Sequence, residues 1–278
     1  MTKWTGPLAP PPSWLDPTME ITAAMEPPKM DRGTFVVRCV QALLNEGCNI
    51  DQAIGVAANT QNETGWGQFY HAFNLGGWKI WKFSAKNSDG TPRRWWRALG
   101  NKSSNDPQTC FYRAFTSPEE FFHEWLKTFV PKVNPASKPN GRYWKTGQQF
   151  WSGGDYFPEF VAAGYKGDVS QHNPAPSIAE HAQITKTLTV MWCQHLLLLT
   201  PDGAWGTKSK AACKLYQTSK GLPATGLLDP ATLGVLLHSV GAMKTVALVT
   251  PLLALSPDPV PACFDPPPAL LACFGPLP

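Results

Sequence analysis

Proline constrains what this chain can fold into more than any other residue. Pro10, Pro11, Pro12, Pro17, Pro27 and Pro28 crowd the first thirty positions, and a second Pro-rich run follows Gly241. Each proline fixes φ and lacks an N–H, so neither end suits a helix or an interior strand. Residues 1–30 are expected to form an arm. Residues 241–278, which carry a loose duplication (Ala262-Cys263-Phe264 and Ala272-Cys273-Phe274), are expected to be disordered. The folded mass must come from the segment between.

There, apolar residues recur at helical spacing. Val36, Val40, Leu43 and Leu44 form one stripe, with Thr34 placed to cap its start and Gly47 where a helix stops. Asp51 is the expected N-cap of a second helix through Ile54, Ala57 and Ala58, which delivers Glu63 at or just past its C-terminal end. Ser117-Pro118-Glu119-Glu120 stands in capping-box order before an apolar face of Phe121, Phe122, Trp125, Leu126 and Phe129. Residues 84–110 are dense in turn formers such as Asn87-Ser88-Asp89-Gly90 and Asn105-Asp106-Pro107, which predicts a hairpin or loop lobe with little core. A connection from Pro131 to Gly141 leads on to Phe160–Tyr165, read as a helix ending at Gly164.

A second unit is expected over 186–240, after a first over 31–182. It opens with a helix around Val190–Leu197 and continues with two turn-then-helix segments. The first is Asp202-Gly203-Ala204-Trp205-Gly206 followed by Ala211, Ala212, Leu215 and Tyr216; the second is Thr225-Gly226 followed by Asp229 as cap and Pro230 at N1. Three helices around one leucine-rich core are predicted. The class is therefore mainly α, one larger unit with a hairpin lobe and one small three-helix unit.

Composition excludes several functions. A net charge of +4 is too small to signal nucleic acid, although Lys86, Arg93, Arg94, Arg97 and Lys102 make one stretch locally basic, either as a solvated loop or as an attraction for an anionic polymer. Seven cysteines with no C-x-x-C spacing predict buried thiols. His71, His123, His172, His181, His195 and His238 show no H-E-x-x-H or other tight ligand spacing, so no metal and no cofactor are expected. Val246–Leu255 is cut by Pro251 and falls short of the roughly 20 residues a bilayer span needs, so no stable membrane insertion is expected.

Glu63 lies in Asn62-Glu63-Thr64-Gly65-Trp66-Gly67. A carboxylic acid beside aromatics suits glycosidic cleavage, where a poor leaving alkoxide must receive a proton as the bond breaks. Trp66, Trp78, Trp81, Trp95 and Trp96 are candidate stacking platforms for pyranose rings, Trp66 and Trp78 foremost, with a core role as the alternative for each.

The stretch Glu63-Thr64-Gly65-Trp66-Gly67, then Asn74-Leu75-Gly76-Gly77-Trp78-Lys79, resembles the family 73 glycoside hydrolases, the glucosaminidase group of the lysozyme-like fold. Phe111-Tyr112-Arg113-Ala114-Phe115, Ser117-Pro118-Glu119-Glu120 and Ala163-Gly164-Tyr165 follow in the family's order, so the resemblance runs unevenly over about 34–170. It implies a catalytic Glu63, a Tyr165 that lines the site and stabilises a developing cation, and a second acid in the hairpin lobe. Asp89 and Asp106 are the carboxylates available there, each also readable as a turn residue; otherwise the substrate's own N-acetyl group serves as nucleophile. Asn74, Gly65 and Gly67 join Trp66 and Trp78 as candidate substrate-binding positions, the glycines also serving as a helix stop. Asp202-Gly203, Trp205-Gly206, Gly221-Leu222-Pro223 and Thr225-Gly226 through Asp229-Pro230 resemble the small helical peptidoglycan-binding domain found beside wall hydrolases.

Together these imply a monomeric peptidoglycan glycosidase, N-acetylglucosaminidase before muramidase, with peptidoglycan as partner. A catalytically silent wall-binding protein, or a wall amidase or peptidase, is the alternative. The first residues show no apolar signal segment, so cytoplasmic synthesis is expected, with action on the wall or in the periplasm after non-classical release. Two routes stay open: a phage-type lysin leaving through a holin-made hole, or an antibacterial effector delivered by a secretion apparatus and countered by an immunity protein.

Overall fold

The computed structural model describes residues 2–26, 28–68, 70–87, 89–102, 106–130, 142–165 and 174–238. The stretches expected as a connection at 131–141 and as a disordered tail at 241–278 lie outside them. The chain is mainly helical. Its described helices are α1 (Arg32–Asn45), α2 (Ile50–Thr64), α3 (Pro118–Phe129), α4 (Trp144–Trp151), α5 (Phe157–Ala162), α6 (Pro174–Leu196), α7 (Thr207–Ser219) and α8 (Pro230–His238). Among the described residues a two-stranded sheet pairs β1 (Trp95–Leu99) with β2 (Thr109–Arg113), antiparallel with Trp95 opposite Arg113 and Leu99 opposite Thr109. Among the described residues no helix is long and apolar enough to cross a membrane.

Helix α2 is the central element, packed by α1 on one side and α6 on another. From Ile50 to Asn62 only Asp51 is exposed, so α2 is a buried helix rather than an amphipathic one. Its N-terminus is closed by a capping box between Asn49 and Gln52, which corrects the assignment of Asp51; the carboxylate of Asp51 sits inside the first turn, where it meets the positive end of the helix dipole. Likewise Asp31, not Thr34, caps α1: Thr34 lies within the first turn and its amide donates to Asp31 Oδ1 at 3.0 Å. Gly47, at φ +87°, reverses the chain after α1 as its position predicts.

The hairpin lobe carries more core than its turn-rich sequence suggests. Leu15, Ile80, Ala85 and Trp95 form a separate buried cluster, with Trp14, Met19 and Phe111 against it. Three of those residues come from the arm. Trp95 Nε1 donates to Asp16 O at 2.8 Å, Ile21 N donates to Trp95 O at 2.7 Å, and Arg97 pairs with Glu20 at 2.8 Å. The arm thus closes the open face and edge of a hairpin that would be marginal alone. Trp95, fully buried, is core and not a sugar platform.

Helix α6 spans the positions 182–186 at which the sequence divides the two units. It runs unbroken through those positions, places Ile184, Leu188, Met191 and Trp192 in the main core with α1 and α2, and brings Gln194 to the C-terminal unit. The two units share one helix of 23 residues. Nor is the C-terminal unit leucine-rich inside: Leu215 and Leu227 are exposed, and the buried side chains include Cys193, Cys213 and Leu236 with the polar Gln194, Ser209, Gln217 and Thr232. Cys39, Cys48 and Cys110 are buried too, and none of the five described cysteines forms a disulfide.

Candidate functional site

Asn59 and Glu63 are four residues apart on α2, so they share one face at its C-terminal end. The chain then leaves the helix through three successive left-handed residues, Gly65 at φ +54°, Trp66 at +61° and Gly67 at +79°. Glycine takes this conformation freely; an aromatic residue takes it at a cost of order 1–3 kcal/mol, sustained only where the surroundings fix it. Trp66 is fixed by a bond from its N–H to Gln61 O at 3.1 Å and by the Arg32 guanidinium, 3.8 Å over its ring. One indole face is therefore already occupied. At Gly67 a Cβ would come within 2.7 Å of the Phe35 ring. Gly65 and Gly67 thus reverse the chain and let it lie directly on α1.

Tyr165, after α5, meets this helix end. Its hydroxyl is hydrogen-bonded to Glu63 and accepts from Asn59 Nδ2 at 3.0 Å, while Phe160 stacks on its ring at 3.9 Å. The ring keeps some exposed surface, but the hydroxyl end is enclosed. Burial first, then the nearby charge of Glu63, pushes the phenol well above its usual range, against the smaller opposing effect of Asn59. Tyr165 is a neutral donor at any physiological pH. Two other acceptors stand open in α2: the buried Asn59 Oδ1 and Gln61 Oε1 have no hydrogen-bond partner among the described residues.

The remaining sequence candidates have structural partners. Asn74 is buried and its amide is committed, Nδ2 donating to Trp78 O and Arg113 O at 2.9 Å each and Oδ1 accepting from Trp78 N at 2.8 Å. It holds the 74–78 loop to β2 and is not presented to a substrate. Trp78 is ringed by Phe115, Phe121 and Phe129 at centroid distances of 5.2–6.0 Å, with the Arg113 guanidinium 5.1 Å from its ring, which makes it a packing residue. Trp96 stacks on Tyr112 at 4.4 Å; Trp81 stands exposed.

Asp89 is exposed, and its Oδ1 accepts from Thr91 Oγ1 at 2.6 Å and Thr91 N at 2.9 Å. Those bonds, the side-chain one foremost, hold its carboxyl below the usual range. Asp106 pairs with Lys79 at 2.5 Å, accepts from Asn101 N at 3.3 Å, and its carbonyl accepts from Trp4 Nε1 at 2.9 Å, tying the arm, the hairpin turn and the Lys79 segment together. Both aspartates are thus held by local structure. Among the described residues, no group of three or more His, Cys, Asp or Glu is placed to hold a metal ion.

Two features escaped the sequence reading. Asn59 was visible only as the residue four before Glu63. The other is a carboxylate–imidazole pair, Glu26 Oε1 and His71 Nδ1 at 2.7 Å, with the His71 ring 4.7 Å from Trp96. It joins arm to loop across 45 positions, a separation no local pattern signals. The next two residues, Ala72 at φ +44° and Phe73 at +49°, are again left-handed without being glycine.

In the C-terminal unit, one device occurs twice. Gln194 Nε2 lies 2.7–3.1 Å from Asp202 Oδ1, Ala204 O and Ser209 Oγ, while its Oε1 accepts from Gly203 N at 2.9 Å. Gln217 Nε2 lies 2.8–3.1 Å from Thr225 Oγ1, Leu227 O and Thr232 Oγ1, while its Oε1 accepts from Gly226 N at 2.8 Å. Each buried glutamine clamps the glycine turn nine residues on. Asp229 then caps α8 through Thr232 N at 2.8 Å, as its sequence position predicts.

Residues 194–236 match the family model of the peptidoglycan binding domain. No curated protein and no solved structure matches the chain. The family match covers both glutamine clamps and supports peptidoglycan as a partner. It does not reach residues 34–170.

Proposed function

We propose that this protein cleaves the glycan strand of peptidoglycan, with Glu63 as general acid and N-acetylglucosaminidase activity ahead of muramidase. The observation that carries the reading is the hydrogen-bonded group of Asn59, Tyr165 and Glu63 at a strained helix end. Glu63 passes its proton to the leaving oxygen as the glycosidic bond breaks. Tyr165, neutral and oriented by Asn59, donates to the carboxylate left behind. Since Asp89 and Asp106 are engaged elsewhere, the acetamido group of the substrate is the favoured nucleophile. The C-terminal unit keeps the enzyme on an insoluble polymer and raises the local concentration of bonds to cut.

The same engagement of Asp89 and Asp106 favours a second reading, a wall-binding protein without activity. Mass spectrometry of material released from purified sacculi separates the two. Muropeptides with a new reducing N-acetylglucosamine end are expected. Peptide fragments from intact glycan, or binding with no release, overturn the proposal, and a new reducing muramic acid end moves the cut to the other bond.

A further inference from the structure

A cavity of about 250 Å³ lies where the hairpin meets the start of α3, lined by Arg93, Arg94, Arg113 and Glu120 together with Met19 of the arm and the Thr91 turn. None of Asn59, Glu63 and Tyr165 lines it. Arg93 pairs with Glu124 at 3.1 Å and Arg94 with Glu120 at 3.0 Å. Arg113 makes no ion pair among the described residues, and its buried Nε has no hydrogen-bond partner. Among the lining residues three guanidiniums face the single carboxylate of Glu120, and Glu124, which pairs with Arg93 from outside the lining, is shared with Lys127 at 3.7 Å.

A guanidinium held this way is costly. Burial, and then repulsion from Arg93, brings Arg113 down to about 10 despite attraction from Glu124. The Trp78 face at 5.1 Å offers one side of the fork a partial substitute for water but no acceptor.

We propose that this cavity binds a carboxylate of the wall's peptide stem, received by Arg113 and flanked by Arg94. A carboxylate matches the guanidinium fork in shape and carries the charge opposite to the cationic lining. The volume admits one acidic residue rather than a sugar–peptide unit, so the cavity reads the stem and leaves the glycan to other surfaces. The locally basic stretch of the sequence thereby acquires a purpose for Arg93 and Arg94. The inference rests on peptidoglycan being the partner, but not on glycan cleavage.

The test is isothermal titration of the full chain with a synthetic stem tetrapeptide that contains no glycosidic bond, so Glu63 chemistry cannot affect it. Wild type is expected to bind the peptide with an affinity that falls with salt. Amidation of the peptide's carboxylates, or Arg113→Met, is expected to weaken binding about tenfold or more. Arg113→Lys, which keeps charge but loses the fork, is expected to fall between. Arg94→Gln, altering a more exposed lining residue, serves if Arg113→Met fails to fold, with a loss of about threefold or more expected. All variants keep the C-terminal unit, so differences report the cavity. Equal affinity for free and amidated peptide, wild-type affinity in the folded variants, or displacement of the peptide by inorganic phosphate at equal concentration would each overturn the proposal.

Discussion

In the C-terminal unit, Gln194 and Gln217 are almost fully buried, and each commits its whole amide to the turn it faces. At the end of α2, Asn59 and Gln61 are equally buried, yet each keeps an amide oxygen without a partner, and among the described residues they are the buried amide side chains that do. A buried polar atom left unmatched costs about 1–3 kcal/mol, so a fold retains one only where something offsets it. The clamps are closed networks and serve architecture. The group beside Glu63 is open in the sense that Asn59, while donating to Tyr165, leaves its buried Oδ1 unmatched.

The comparison breaks first at Gln217. Replacing it with alanine strands the Gly226 amide and the Thr232 hydroxyl, so Gln217→Ala is expected to cost about 2–4 kcal/mol in urea unfolding and to abolish pelleting with sacculi. A change below about 0.5 kcal/mol would mean the clamp is not structural. Tyr165→Phe should do the reverse. It removes one hydroxyl from the open network and is expected to slow muropeptide release about tenfold while stability falls by no more than about 1 kcal/mol. Unchanged release would return Tyr165 to a packing role on Phe160.

A smaller effect is expected at Glu120, whose carboxyl burial alone would raise. Hydrogen bonds from Thr116 and the charge of Arg94 outweigh burial and hold it below the usual range. With its folded pKa depressed, its contribution is complete above the unfolded value of about 4.3 and is lost as pH falls through the lower folded value. Glu120→Gln should flatten that part of the stability–pH curve by no more than about 1 kcal/mol, since the pair is partly exposed. An unaltered slope would show that Glu120 is not linked to folding. Least of all should change at Asp89, where Asp89→Ala is expected to alter release less than about twofold. A hundredfold loss there would identify it as the second acid and close the question the acetamido group now answers.

Sequence legibility divided along the same line. Asp229-Pro230 and Ser117-Pro118 announced their helices because caps are local devices, and Glu63 was placed because a helix stop follows it. The role of the arm was hidden: its prolines rule out a helix, but nothing local says that Leu15 and Met19 pack beside Trp95. Asn49 and Asp51 are both good cap residues two positions apart, and the reciprocal bond with Gln52 decides for Asn49. Trp95 and Trp78 carried no mark separating a sugar platform from a core ring, since that depends on Phe111, Phe121 and Phe129 arriving from elsewhere. The Glu26–His71 pair and the Arg113 cavity are long-range in the same sense. What local pattern supplies is where elements begin and end; which polar atoms remain unmatched emerges only once they pack.

The central claim is that Glu63 does chemistry while the C-terminal unit does binding, and one paired assay tests it. Wild type and Glu63→Gln are mixed with purified sacculi, and pelleted protein and released muropeptide are measured in the same tube. Equal pelleting is expected, with release by Glu63→Gln reduced about 100- to 10,000-fold. Equal release by the two proteins would contradict the account.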